Sequence, residues 1–263
     1  MKWFKIVFGV LIFIVVTGTM VSYVFQNKLI FQGKKLSSDF HFSFQQPFQE
    51  AFIPTADGHV LNALWFKPPH HAKGLVIYFH GNADNLQRWG QYATDITQLG
   101  YEVLMVDYRG YGKSSGTPVE KVLYEDASLI WQWAAKNSKH KHVVIYGRSL
   151  GAAIATHLAA EVQPDLLILE TPFDELMGAS VLRYLFAVVP LHSTFNTRQF
   201  LEKVTCKTVI FQGTDDWVVS LKSAERLKPA LKETDEFIVI PDGGHNNLRE
   251  FPLYHTKLAM VLQ

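Results

Sequence analysis

Five residues, Gly147-Arg148-Ser149-Leu150-Gly151, stand between an apolar run, Val143–Tyr146, and the small-residue run GAAIATHLAA. A serine at a strand-to-helix turn, with glycine two positions away on each side, is lifted above a sheet as an exposed nucleophile. The glycines are needed because strand and helix come too close there for a side chain. A helix N-terminus beneath also favours developing negative charge. A hydroxyl attacks poorly without a base, and the base needs an acid to orient it. Two later loops offer both in chain order. Thr208–Phe211 is followed by Gly213-Thr214-Asp215-Asp216-Trp217-Val218-Val219, and Phe237–Ile240 by Gly243-Gly244-His245. His245 is the candidate base. The acid is Asp216 or Asp215, which spacing alone does not separate, and Glu170 at the end of Leu166–Leu169 is a third candidate.

Acyl transfer creates an oxyanion that needs pre-aimed backbone donors. Leu150, next after the serine, supplies one N–H. The other is expected from the loop His80-Gly81-Asn82-Ala83 after Leu75–Phe79, from Asn82 or else Ala83. His80 is expected to hold that loop through its ring nitrogens rather than to act as a second base.

These residues require a scaffold of alternating strands and helices. Ala51–Pro54 and Val60–Phe66 read as strands joined at Asp57-Gly58. Leu75–Phe79, Val103–Val106, Val143–Tyr146, Leu166–Leu169, Thr208–Phe211 and Phe237–Ile240 read as buried strands. Helices are expected at about Leu86–Leu99, from Thr117-Pro118-Val119-Glu120 to Lys136 behind a capping box, at Leu150–Val162, at Ser220–Leu231 and from about Asn247. The pattern is an α/β class: a mostly parallel twisted sheet with helices on both faces and sites at the strands' carboxyl ends. Residues 174–204 are an insertion rich in apolar side chains, among them Val181, Leu185, Phe186 and Leu191, expected to form a small helical lid over an acyl pocket.

The chain of 263 residues is 48% hydrophobic and 19% charged, with a net charge of +1. That balance excludes a disordered chain and leaves no charge excess for a nucleic-acid partner. A single cysteine, Cys206, excludes an internal disulfide framework and multi-thiolate metal sites. No metal or organic cofactor is expected. Ile6–Phe25 is a run of 20 residues without a charged side chain, preceded by Lys2 and Lys5. Twenty helical residues match a hydrocarbon layer of about 30 Å. The run is longer than a signal-peptide core and lacks an Ala-x-Ala-like cleavage site. It therefore predicts an N-terminal transmembrane helix, an anchor over 1–26, with a connector over 27–48 and one domain over 49–263. The early lysines weakly favour a catalytic domain on the non-cytoplasmic side.

With these elements in place, the chain resembles the α/β-hydrolase superfamily and, within it, single-pass membrane-anchored serine hydrolases that include depalmitoylases and lipid hydrolases. The resemblance is carried by HGNADN (80–85), DYRGYGKSSG (107–116), GRSLG (147–151), ETPF (170–173), GTDDWVV (213–219) and GGHNN (243–247). It implies a catalytic set of Ser149, Asp216 and His245, because the family's Gly-x-x-Asp-x-x-Val falls on Gly213, Asp216 and Val219. It implies an α/β-hydrolase fold and a serine hydrolase acting on ester or thioester bonds of lipid-like acyl substrates. Asp107-Tyr108-Arg109-Gly110 then has a structural role beside the nucleophile. Arg148, where relatives vary, either binds substrate or pairs with a surface carboxylate. A peptidase or amidase with the same three residues is the alternative activity, whereas Ser149 argues against dehalogenase chemistry.

Overall fold

The computed structural model describes residues 2–176 and 193–263. The most apolar segments, β4 (Gly74–Phe79) and β7 (Val143–Arg148), lie side by side near the middle of a sheet that has eight strands among the described residues. The remaining strands are β2 (Phe48–Pro54), β3 (Val60–Phe66), β6 (Tyr101–Val106), β8 (Leu166–Glu170), β9 (Lys207–Gly213) and β10 (Glu236–Ile240). The order across the sheet is β2-β3-β6-β4-β7-β8-β9-β10. β2 and β3 form an antiparallel hairpin, and β3 meets β6 antiparallel; from β6 to β10 every pairing is parallel. The hairpin turns at Gly58, whose φ of +83° suits glycine.

Side chains alternate across the strands and divide the core in two. Ile77, Phe79, Ile145 and Leu167 face the helices α4 (Glu120–Asn137) and α5 (Leu150–Val162). Val76, Tyr78, Val144, Tyr146 and Ile168 pack with Trp89, Tyr92 and Leu258 on the other face. Both faces are covered, which is why β4 and the Val143–Tyr146 part of β7 are apolar throughout rather than alternating.

Several element boundaries differ from the sequence reading. The helix expected over Leu86–Leu99 is three short pieces: α2 (Leu86–Trp89), a 3-10 turn at Gly90–Tyr92 and α3 (Ala93–Thr97). Gly90 sits at the break because a Cβ there would lie 2.4 Å from the Phe44 ring. Thr117 and Pro118 do not cap α4, which starts at Glu120 without a side-chain cap. The Glu120 carboxylate is engaged elsewhere, accepting from Thr194 N, Phe195 N and the Tyr124 hydroxyl. Ser220 does cap the next helix, but this ends at Glu225, and a 3-10 turn over Lys228–Ala230 follows, since Pro229 has no N–H to continue it. Pro252 likewise divides a turn at Leu248–Glu250 from the final helix, Pro252–Val261.

At the N-terminus, Lys2–Ile30 is one helix, α1. Trp3, Phe4, Phe8, Phe13 and Met20 on it are exposed, whereas Ile30 is buried in the core. The transmembrane helix expected over Ile6–Phe25 is not found: among the described residues no helix is long and apolar enough to cross a membrane. Much of the apolar run behind that expectation, including Leu11, Ile12, Val15, Val16, Val24 and Phe25, lies outside the described side chains. The segment expected as a connector is docked along its length. β1 (Gln32–Gly33) pairs in parallel with β5 (Ala83–Asp84), Leu36 N bonds Gly112 O, and Phe40, Phe42 and Phe44 lead ring against ring to Phe66. Of the expected lid, residues 177–192, with Val181, Leu185, Phe186 and Leu191, lie outside the described residues; the helix Thr197–Leu201 closes the insertion.

Candidate active site

Ser149 occupies the turn from β7 into α5 with φ +51° and ψ −115°, a conformation an L-residue holds only when its surroundings impose it. The surroundings are tight. A Cβ on Gly147 would lie 2.3 Å from Gly151 O, and one on Gly151 would lie 2.0 Å from Phe79 O. Glycine at both positions lets α5 press its first turn against the ends of β7 and β4. Ser149 N donates to Glu170 O at 2.9 Å, tying the turn to β8.

Two further strand ends converge on the serine. His245, on the loop after β10, places Nε2 3.1 Å from Ser149 Oγ and Nδ1 2.8 Å from Asp216 Oδ2. These residues are separated by 96 and 29 positions in the chain. Asp216 has a fully buried side chain. Its Oδ1 accepts from Val218 N and Val219 N, and its Oδ2 also accepts from Gln212 Nε2 at 3.1 Å. That cradle fixes the carboxylate and explains why burial there is tolerated. The loops carrying Asp216 and His245 are fastened together: Asp215 N donates to Gly243 O, and a Cβ on Gly213 would lie 2.0 Å from the same oxygen.

The other two acid candidates are not brought to His245. Asp215 is exposed and accepts from the Thr214 hydroxyl. Glu170 is buried among Tyr146, Tyr254 and Arg148, accepting from the Tyr146 hydroxyl at 2.6 Å. Burial, followed by the Glu170 charge, pushes the Tyr146 and Tyr254 hydroxyls well above the usual phenol range. Arg148 pairs with this buried carboxylate rather than with a surface one. Its Nη2 donates to His245 O at 2.8 Å and to Asn246 Oδ1 at 3.2 Å, and its guanidinium lies over the adjoining Trp89 and Tyr92 rings. Burial alone would lower its pKa, but Glu170 and the neighbouring tyrosines outweigh that and raise it.

Asn82, Ala83 and Leu150 line the same cavity as Ser149 and His245, a space of about 370 Å³. Leu150 is the first residue of α5, so its N–H has no acceptor within the helix. The loop before Asn82 is held from below. His80 is fully buried, with Nδ1 2.7 Å from Gly81 O and Nε2 3.4 Å from Asp107 Oδ1. Asp107 accepts from Leu86 N, and burial raises its carboxyl pKa against the pull of His80. The Tyr108 hydroxyl donates to His80 O, and Arg109 bridges Asp126 and Asp57. The Asp107–Gly110 stretch is thus a brace under the loop.

Sequence reasoning missed several walls of the cavity: Ile30 from the end of α1, Gln32 from β1, Arg88 and Trp89 from α2, and the exposed Trp217 beside Asp216. Trp217 adjoins a motif already singled out, whereas nothing local in the sequence links Ile30 to residues more than a hundred positions away. Among the described residues, no group of three or more His, Cys, Asp or Glu side chains could hold a metal ion.

Comparison with known proteins finds similarity to hydrolases. The family described as serine aminopeptidase, S33 matches residues 70–187. An uncharacterized protein of Mycobacterium tuberculosis is 30% identical over 208 residues, which cover 76% of this chain and 73% of that protein. The lysophosphatidylserine lipase ABHD12 of Bos taurus is 32% identical over 177 residues, covering 58% of this chain and 44% of the lipase. This chain therefore spans less than half the length of that relative. Among solved structures, an esterase of Pyrococcus furiosus superposes with a TM-score of 0.73 at 19% identity, covering 89% of this chain and 97% of the esterase.

Proposed function

Because the chain belongs to the α/β-hydrolase superfamily and is a hydrolase acting on ester bonds, we propose that Ser149, His245 and Asp216 form its catalytic triad and that it cleaves ester or thioester bonds of lipid-like acyl substrates. One observation carries this reading: the unbroken hydrogen-bond chain from Ser149 Oγ through His245 to the buried Asp216, opening onto a cavity. His245 Nε2 takes the hydroxyl proton as Ser149 Oγ attacks the carbonyl carbon, and Asp216 holds the ring in the tautomer that leaves Nε2 free to accept. Negative charge collects on the former carbonyl oxygen, received by the N–H of Leu150 and that of Asn82 or Ala83. His245 returns the proton to the departing alcohol or thiol, leaving an acyl-serine. Water, deprotonated by the same His245, then releases the acid and restores Ser149.

The acyl preference is supported by apolar walls from Ile30, Leu150, Phe173 and Leu176, and by the lipase among the relatives. The same reading extends to a membrane. The uncharged stretch of α1 and the exposed Trp3, Phe4, Phe8, Phe13 and Met20 support a helix held in a bilayer, and Lys2 and Lys5 before the run favour a catalytic domain on the non-cytoplasmic side. Retention of the protein in the pellet after carbonate extraction is the expected result; full release overturns the membrane assignment.

Ser149→Ala and His245→Ala should each lower kcat/KM on p-nitrophenyl esters by about 10³-fold or more, and Ser149→Ala should abolish fluorophosphonate labelling. Wild-type turnover in Ser149→Ala ends the proposal. A second reading, amide cleavage, is favoured by the aminopeptidase description of the matching family. A panel of ester, thioester and anilide substrates with one acyl group separates the two.

A further inference from the structure

The cavity has a wall that no catalytic motif supplies. Ile30, the last residue of α1, is 1% exposed and lines the cavity, and Gln32 lines it just beyond. The carbonyl of a final helical residue has no donor within its helix and must find one elsewhere. Ile30 O finds the Asn82 carboxamide, whose Nδ2 donates to it at 2.5 Å. The Oδ1 of the same side chain accepts from the Tyr111 hydroxyl at 2.8 Å and, more weakly, from Gln32 N at 3.4 Å. Around this clamp β1 pairs with β5, and Gly33 lies so close to Tyr111 that a Cβ would fall 2.4 Å from the ring. Asn82 therefore reaches the N-terminal segment with its side chain while its backbone belongs to the loop over the serine.

We propose that the last turn of α1 is a working part of the active site, in which Ile30 sets how much acyl chain the cavity admits and the Asn82 carboxamide is a positioning residue that locks the oxyanion loop to that turn. The inference rests on the hydrolase mechanism above and adds to it. Main-chain donors contribute only when aimed to within a fraction of an ångström. The same loop is tied to the strap by Lys34 N to Asp84 O and by Asn85 Nδ2 to Lys34 O, and Trp89 Nε1 holds Ala83 O. Clamping Asn82 to the carbonyl of a buried helix end extends those ties to the residue that carries the candidate donor. Ile30 stands five residues beyond Phe25, roughly 8 Å along a helix, so the cavity wall begins about where the uncharged run ends. The substrate this geometry suits is an amphiphile whose ester lies at a membrane surface.

The test uses the full chain in detergent micelles, so that membrane delivery does not enter. On p-nitrophenyl acetate, Asn82→Ala should lower kcat by about 10- to 100-fold with KM changed less than about threefold, and the rate of fluorophosphonate labelling should fall in parallel. A merely structural role would lower the active fraction without slowing labelling of the folded remainder. Ile30→Trp should cut the ratio of decanoate to acetate kcat/KM at least tenfold, and it reports even where Asn82→Ala does not fold. Asn82→Ala with kcat within twofold of wild type, or Ile30→Trp with an unaltered chain-length profile, overturns the inference while the hydrolase reading stands. Wild-type activity in Ser149→Ala overturns both.

Discussion

At the residue scale, Arg148 departs furthest from its expected part. Its guanidinium is almost fully enclosed, 1% exposed, and is balanced by Glu170. Removing one partner of such a pair strands the other charge away from water. Arg148→Ala should destabilise the fold by about 3–5 kcal/mol, read by chemical denaturation, and should also loosen the loop that carries His245. Arg148→Ala with Glu170→Gln should recover part of that loss; an additive double mutant would show the pair is not coupled. Cys206 behaves oppositely, because burial pushes its thiol up to about 11. The neutral thiol persists at pH 8, so alkylation by iodoacetamide should be slow there and accelerate only as pH approaches 11. Rapid labelling at pH 8 contradicts this. The meeting of Ser149 and His245 is legible in the sequence because a turn motif and chain order encode it. The duty of Arg148 was not, since its partners Glu170, Asn246 and Trp89 come from three separate loops and elements.

At the element scale, the close approaches decide what the turns tolerate. Gly151→Ala would put a methyl group 2.0 Å from Phe79 O, where backbone rather than a mobile side chain must yield. Loss of the folded state, or of all labelling at Ser149, is the expected outcome in a thermal melt and probe assay. Glu120 offers a milder case. Its carboxylate serves two N–H groups of the segment entering Thr197–Leu201, and Glu120→Ala should cost about 1–3 kcal/mol. The eight strands of the main sheet are legible to within three residues at each end, because apolar runs bounded by turn residues encode them, whereas the two-residue strands β1 and β5 carry no such pattern. Helix limits were less legible. Pro229 and Pro252 are visible punctuation, yet their effect depends on whether the chain resumes a helix after them. Gly90 breaks its helix for the sake of Phe44, a contact across 46 positions that no local pattern carries.

At the scale of the whole molecule, the sequence reading divides the chain at residue 26, whereas α1 continues to Ile30 and the strap beyond it is zipped to the loops at 83–84 and 112. Deleting residues 1–25 should leave hydrolysis of a short soluble ester within a few-fold of the full chain in detergent. Deleting 1–36 removes the buried Ile30 and Phe31, each side chain contributing about 1.5–3 kcal/mol, and should lower the melting temperature by several degrees and activity by more than tenfold. Equal behaviour of the two truncations would show that the strap is dispensable. Composition changes at residue 26 while the helix continues to Ile30, because hydropathy does not mark where backbone hydrogen bonding ends.

Among the described residues, α1 runs unbroken to Ile30, and only Phe31 lies between its end and β1. An enzyme on a loose leash could swing away from its support and sample the bulk solution. This one is mounted like a blade on a fixed handle, so whatever grips the handle also sets the tilt and height of the mouth. With the handle held in a bilayer, as proposed above, such a mounting would favour molecules diffusing in the same plane over those arriving from solution, converting a volume search into a search over an area.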